Sequence, residues 1–145
     1  MLATNLPLNS SSTTLPADLT TGMIRWDQGK KYILVKNVGA SLADGKTFKR
    51  DANSTTDIHV IVGAARGDYI LGVNNTGAAI PDGSYFWGLQ EGRGYSIGST
   101  IAVNVEAEAG AAGVVAEVGS GGRSIGICLV ANSNIQWSCP GGYNG

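Results

Sequence analysis

Short apolar runs alternate with turn residues along most of the chain, beginning at Met23. The runs are rich in β-branched and aromatic residues, and Gly, Pro, Asn or Asp bound them, which is typical of strands joined by tight turns. Strands are predicted at residues 31–38, 46–49, 57–62, 69–73, 84–90, 101–105, 113–118, 124–130 and 134–138. A turn signal recurs about every ten residues, which favours a small β-barrel or β-sandwich of short antiparallel strands. The predicted fold class is therefore all-β.

The clearest turn signals are Asp44-Gly45 and Pro81-Asp82-Gly83, and the second of these begins the run 84–90. Residues 106–112 are the one stretch with the Ala- and Glu-rich composition of a helix, and a glycine interrupts it. A helix there is limited to one or two turns. No repeat of fixed period is present, which argues against a propeller or a solenoid.

Residues 1–22 differ from the rest of the chain. Residues 9–14 are polar and of low complexity, Pro7 and Pro16 flank them, and no hydrophobic period runs through the segment. This composition predicts an extended N-terminal arm at 1–22, either disordered or ordered against a partner, followed by a single β-domain at 23–145.

Composition and charge narrow the classes of partner. The chain of 145 residues fits one domain, only 14% of its residues are charged, and its net charge is −1. A nucleic-acid-binding protein usually concentrates positive charge on one surface, and no apolar run is long enough to span a bilayer. The sequence therefore predicts neither a nucleic-acid nor a membrane partner. The first residues lack the pattern of a secretory signal, which predicts a protein made in the cytoplasm.

No motif assembles a convincing catalytic or metal site. Residues 94–98 match the G-x-S-x-G pattern around Ser96, but the sole histidine, His59, lies upstream and no helix is predicted to follow. Residues 51–57 resemble the start of a calcium loop, but its required Gly and Glu are missing. Cys128 and Cys139 do not form a disulfide framework, and whether they pair stays open. We expect no catalytic residue, cofactor or metal, and hence no enzyme.

Aromatic residues are the remaining candidates for a functional surface. Tyr85-Phe86-Trp87 places a large side chain on both faces of its predicted strand, and an aromatic residue on the outer face suggests a subunit contact. The candidate subunit interface comprises Trp26, Tyr85, Phe86, Trp87 and Trp137.

Residues 79–92, Ala-Ile-Pro-Asp-Gly-Ser-Tyr-Phe-Trp-Gly-Leu-Gln-Glu-Gly, resemble a hairpin common in head decoration (cement) proteins of tailed bacteriophages. The runs 31–38, 113–118 and 124–130 resemble its flanking strands. Phe86 stands where a small residue usually precedes the tryptophan, which puts close sheet packing there in doubt. The resemblance implies a virion protein on the capsid surface, often trimeric, that binds neighbouring major capsid protein subunits and is made in the host cytoplasm.

Under this resemblance the N-terminal arm is the candidate capsid-docking element, since an extended arm can add a strand to a capsid-protein sheet. Its candidate contact residues are Leu2, Leu6, Pro7, Leu8, Leu15 and Pro16. Two alternatives stay open. One is a ligand- or carbohydrate-binding β-module of fibre or adhesin type that uses Tyr85, Trp87 or Trp26 as stacking platforms, and the other is a hydrolase that uses Ser96.

Overall fold

The structure is a computed structural model that describes residues 6–63, 68–98, 100–120 and 122–137. These residues form eleven strands, no α-helix and one 3₁₀ turn at Ala111–Gly113, so the all-β prediction is confirmed. The strands are β1 (Ser11–Ser12), β2 (Ile24–Asp27), β3 (Lys30–Asn37), β4 (Thr47–Arg50), β5 (His59–Val62), β6 (Ile70–Val73), β7 (Tyr85–Tyr95), β8 (Glu106–Ala109), β9 (Val115–Glu117), β10 (Gly126–Val130) and β11 (Asn134–Trp137). Within the described ranges, no helix has the length and apolar character needed to cross a membrane.

Five of these strands close into a barrel. The ring runs β3–β5–β4–β6–β7 and returns to β3, because β7 pairs with β3 on the side opposite β5. Its pairs are antiparallel except β3–β5, which is parallel. Alternate side chains of each strand point inward and fill the barrel with an apolar cluster. The cluster consists of Ile33, Val35, Leu42, Phe48, Val60, Ile80 and Phe86.

Phe48 occupies the middle of the barrel because two glycines make room for its ring. A Cβ atom at Gly72 would lie 2.8 Å from Phe48 Cζ, and a Cβ atom at Gly88 would overlap the same ring. The ring of Phe86 meets that of Phe48 edge to face at a centroid distance of 5.4 Å and an interplanar angle of 80°. Phe86 is fully buried here, so the close packing that the sequence put in doubt is present.

The long strand β7 belongs to two sheets. Tyr85 to Glu91 pair with β3 in the barrel, while Gly92 to Tyr95 pair with β11. From β11 the second sheet continues through β10 and β8 to β9. A bridge between Gly98 and Val115 then links β9 back to the chain that follows β7. A second apolar cluster, which includes Trp87, Leu89, Ile135 and Trp137, joins the second sheet to the outside of the barrel.

Two local predictions are wrong. Residues 106–109 form the strand β8 and not a helix, because Ala107 and Glu106 pair with β10 on one side and Ala107 to Ala109 pair with β9 on the other. Tertiary pairing here overrides the helix propensity of Ala and Glu. The predicted strand at 101–105 is a loop, although Ile101 is buried and Val105 still accepts a hydrogen bond from Cys128 N.

The N-terminal segment packs on the β-domain and is not a separate arm. Leu6 is 1% exposed and Leu19 is 9% exposed, and both belong to the second apolar cluster. Ser11 and Ser12 form β1 and pair with Phe86 and Tyr85 of β7. The expectation that residues 1–22 lie apart from the domain is therefore corrected for 6–22, because widely spaced leucines anchor the segment to the core.

Candidate interaction surfaces

Trp26 is the one large aromatic of the candidate interface that is mainly exposed, at 62%. Phe86 lies inside the barrel, and Trp87 and Trp137 are buried in the second cluster. Tyr85 is partly buried, with the Lys36 ammonium 5.2 Å from its ring centroid. The interpretation of Phe86, Trp87 and Trp137 as an accessible interface is corrected, because strand alternation directs these rings into the two cores.

Hydrogen bonds fix two of the buried indoles. Trp87 Nε1 donates to the carbonyl oxygen of Leu6 at 2.9 Å. Trp137 Nε1 donates to Ser96 Oγ at 3.1 Å. Buried indole N–H groups require such partners, so these two rings have defined positions in the core. Trp87 therefore offers no platform for a ligand.

The candidate docking residues of the N-terminal segment fall into three groups. Leu6 is buried, and Leu8 and Leu15 pack partly against the same cluster. Pro7 is exposed and Pro16 is partly buried. Leu2 lies outside the described residues. The apolar side chains Leu6, Leu8 and Leu15 thus contact this domain itself, because the chain's own core covers them.

The first exposed apolar surface lies on β2 and is called the edge surface, comprising Met23, Ile24 and Trp26. These side chains are 39%, 45% and 62% exposed. Along β2 the burial alternates, so Ile24 and Trp26 share one face and Arg25 and Asp27 share the other. The face that carries Trp26 is the continuation of the barrel's inner face, because Ile24 pairs with Ile33.

The turn from β2 to β3 is a two-residue hairpin. Gln28 and Gly29 have φ angles of 48° and 77°, as in a type I′ turn, and Asp27 pairs with Lys30. In this register Asp27 and Arg25 direct their backbone groups toward β3, whereas those of Ile24 and Trp26 point away from it. Among the described strands none pairs with the outer side of β2.

The other face of β2, opposite Ile24 and Trp26, carries opposite charges beside a buried phenol. Arg25 lies opposite Tyr32 on β3, and its guanidinium lies 5.8 Å from the Trp87 ring centroid. Burial raises the pKa of the Tyr32 phenol, the charge of Asp27 raises it further, and the charge of Arg25 lowers it. Arg25 and Asp27 are therefore close enough to the same side chain to act on it in opposite directions.

The second exposed apolar surface lies on the second sheet and is called the second-sheet surface, comprising Val103, Ile127 and Val130. Their exposures are 47%, 36% and 42%. Beyond β8 the chain stays beside β10, because Cys128 N donates to Val105 O and Asn104 N donates to Cys128 O. Val103 lies in the adjoining turn, and the bulge between Cys128 and Val130 places Val130 on the same face of β10 as Ile127.

A surface pocket of about 350 Å³ lies beside β4, lined by Lys49, Arg50, Asp51, Ala52, Ile61, Asp68 and Tyr69. Lys49 Nζ and Asp68 Oδ1 form an ion pair at 3.1 Å. The Tyr69 ring is 47% exposed, but the guanidinium carbon of Arg123 lies 3.7 Å from its centroid. One face of the exposed tyrosine is thus already occupied by a cation.

The motifs considered for chemistry take structural roles. Ser96 is fully buried and its hydroxyl is bonded to the Trp137 indole, so it is not positioned as an accessible nucleophile. In the loop 51–57, Asp51 Oδ1 accepts from Asn53 N and Ser54 Oγ bonds the Asp57 carbonyl, as in an ordinary polar turn. In the described parts of the chain no three metal-ligating side chains cluster. Cys128 is buried, and Cys139 lies outside those parts.

The second-sheet surface was missed by sequence reasoning. Ile127 and Val130 lie in the run 124–130, which was predicted as a strand without a functional surface, although alternation along a strand already places Ile127 on the face opposite Cys128. Comparison of the chain with protein-family models, with curated proteins and with solved structures found no match in any of the three. The function of the chain is therefore inferred from its own two apolar surfaces.

Proposed function

We propose that this chain is a virion structural protein, a decoration protein that binds the outer surface of a phage head and bridges subunits of the major capsid protein. The observation that carries the proposal is the pair of exposed apolar surfaces on two different sheets. A protein that bridges other subunits needs at least two such contacts, and exposed apolar clusters mark sites of protein association.

The two surfaces differ in kind, which suggests different partners. The second-sheet surface presents the aliphatic side chains of Val103, Ile127 and Val130, suited to packing on another protein. The edge surface adds an unpaired strand edge, suited to backbone hydrogen bonds with another strand. In this proposal the second-sheet surface contacts the shell, and the edge surface contacts a neighbour on it.

The resemblance of residues 79–92 to the phage hairpin supports the proposal through the fold. Pro81-Asp82-Gly83 forms the turn, Gly83 has a φ of 79°, and β7 follows directly. Asp82 Oδ1 accepts from Gly39 N at 2.8 Å, which ties the turn to the end of β3. The motif therefore begins the strand on which both sheets depend.

Low charge predicts how attachment responds to salt. Only 14% of the residues are charged, so few ion pairs are available to either surface. Apolar and backbone contacts are screened little by salt, and we expect attachment to shells to change little between low and high ionic strength.

Binding only to the expanded shell stabilises it by about 2.7 kcal/mol per site at a hundredfold excess over Kd.

The test uses shells stripped of the protein and then restored with it. Restored shells should rupture at a higher temperature than stripped shells. Ile127→Ser and Val130→Ser should reduce shell occupancy, whereas Asn53→Ser, at an exposed polar position, should leave it unchanged. Equal rupture temperatures for stripped and restored shells would refute the cementing role.

The pocket beside β4 supports a second candidate function, a carbohydrate-binding module. Its carboxylates, cations and the exposed Tyr69 are groups that bind sugar hydroxyls and rings. A glycan array with the wild type and Tyr69→Ala tests it directly. Binding that disappears in Tyr69→Ala would favour the ligand-binding alternative, and the absence of any binding would remove it.

A further inference from the structure

The outer edge of β2 is built to pair with another strand. Ile24 and Trp26 direct their N–H and C=O groups away from β3, and no described strand covers them. Natural edge strands are commonly protected by short length, charged side chains, Pro or a bulge. The strand β2, Ile-Arg-Trp-Asp, contains neither Pro nor Lys and pairs regularly with β3, and its two charges have opposite signs, so they repel a parallel copy but attract a reversed one.

The side chains of β2 are complementary to a reversed copy of the same strand. One face carries Ile24 and Trp26, and the other carries Arg25 and Asp27. Antiparallel pairing reverses the order, so Arg-x-Asp meets Asp-x-Arg and Trp26 meets Trp26 of the second copy, while Ile24 falls opposite Gln28. The charge pattern therefore indicates that the edge of β2 is complementary to a second copy of the same strand in antiparallel orientation.

We propose that two copies of this chain associate about a two-fold axis by antiparallel pairing of their β2 strands. Arg25 of each copy then forms an ion pair with Asp27 of the other, and the two Trp26 rings pack together on the opposite face. When the two-fold axis passes between the two Trp26 residues, Arg25 of each copy lies directly opposite Asp27 of the other copy. The two Trp26 residues also exchange two backbone hydrogen bonds in this arrangement.

A two-fold contact differs from the trimer that the phage resemblance implies. A closed trimer requires two different surfaces that fit each other, whereas a two-fold interface uses one self-complementary surface. The edge surface has the self-complementary pattern. The inference concerns the free protein and does not depend on whether a phage shell is its partner.

The size of β2 limits the strength of the contact. Its four residues allow few backbone hydrogen bonds, and most of the buried apolar area comes from Trp26, Ile24 and Met23. This is well below the area of a standard stable interface, so dissociation should occur in a concentration range accessible to sedimentation.

A charge swap tests the pairing. Arg25→Asp places like charges together at two symmetric positions, and Asp27→Arg does the same with the opposite sign. Each single variant should weaken self-association by about tenfold in Kd. The double variant Arg25→Asp with Asp27→Arg restores opposite charges and should return to within about threefold of the wild type. Sedimentation over a concentration series gives the dimer dissociation constants of the wild type, the two single variants and the double variant.

Trp26→Ala should abolish dimers, and Ile127→Ser, on the other surface, serves as the matched control and should dimerise as the wild type does. Far-ultraviolet circular dichroism confirms that each variant is folded. Three outcomes would overturn the inference. The wild type could stay monomeric at all concentrations, its mass could be that of a trimer, or the double variant could have a dimer Kd no lower than those of the single variants. Dimers that fail to bind shells would instead refute the proposed capsid role and leave the β2 pairing standing.

Discussion

The indole nitrogen of Trp87 donates a hydrogen bond to the backbone carbonyl of Leu6, 81 positions away in the sequence. This bond joins the N-terminal segment to the strand that both sheets share. Trp87 is 4% exposed and Leu6 is 1% exposed, so the bond is shielded from water. The contact makes the first described residue of the chain a part of the core.

Trp87→Ala should destabilise the fold by about 3–5 kcal/mol, because it leaves a large cavity and removes the bond to Leu6. Trp87→Phe should cost less, about 1–3 kcal/mol, mainly by leaving the Leu6 carbonyl unpaired. Urea unfolding at low protein concentration measures both. Trp26→Ala is the control and should change stability by less than about 0.5 kcal/mol, since its ring is exposed. If Trp87→Ala and Trp26→Ala lowered the free energy of unfolding equally, the placement of Trp87 in the core and Trp26 on the surface would be contradicted.

Leu6→Ala should destabilise the folded domain by about 2–5 kcal/mol, since the side chain is fully buried in the second cluster. Asn9→Ala, at an exposed position of the same segment, should have almost no effect. The free energies of unfolding come from denaturant titrations. If the two variants are equally stable, the segment does not contribute to the core and the separate-arm interpretation returns.

Gly88→Ala should cost about 1–3 kcal/mol, because the added methyl group overlaps the ring of Phe48 inside the barrel. Phe48→Leu shortens the side chain and makes room for that methyl group. The double variant should therefore be more stable than the sum of the single losses predicts. A double-mutant cycle with additive free energies would show that the two positions do not touch.

Alkaline pH should destabilise the protein partly through Tyr32. Burial raises the pKa of its phenol above the usual value of about 10, so the folded state keeps the proton to higher pH than the unfolded chain does. The stability contribution is complete below about pH 10 and is lost as the pH rises through the raised pKa. Tyr32→Phe should lose less stability than the wild type between about pH 8 and 11. Tyr69→Phe, which removes the hydroxyl of an exposed tyrosine, serves as the control for the substitution itself.

Much of the barrel could be predicted from alternation and turn signals. The run 31–38 matches β3, and the turn at Pro81-Asp82-Gly83 begins β7 as expected. The predicted strand ended at residue 90, whereas β7 continues to Tyr95 through Gly92 and Gly94. Gly94 lies against Leu89, where a side chain would not fit. Local propensity predicts that a glycine ends a strand, but at Gly94 the glycine is required by close packing, which depends on how the chain folds.

The N-terminal segment shows what local patterns cannot reveal. Leu6 and Leu19 belong to no helical or strand period of apolar residues, so no periodic pattern signals their burial. Their positions depend on long-range contacts with Trp87 and its neighbours, and these are set by the completed fold. The candidate interface has the same explanation. The local sequence around Trp26 resembles that around Phe86 and Trp137, and only the folded structure shows that Trp26 is exposed while the other two are buried.

The shared strand β7 also determines how the molecule can carry mechanical tension. Partners held at the edge surface and at the second-sheet surface pull on different sheets. Between those sheets the pull is transmitted along the peptide bonds of Tyr85–Tyr95, because one continuous strand belongs to both. A noncovalent joint between two domains could slide apart under such a load, whereas this connection can fail only when hydrogen-bonded ladders within a sheet give way.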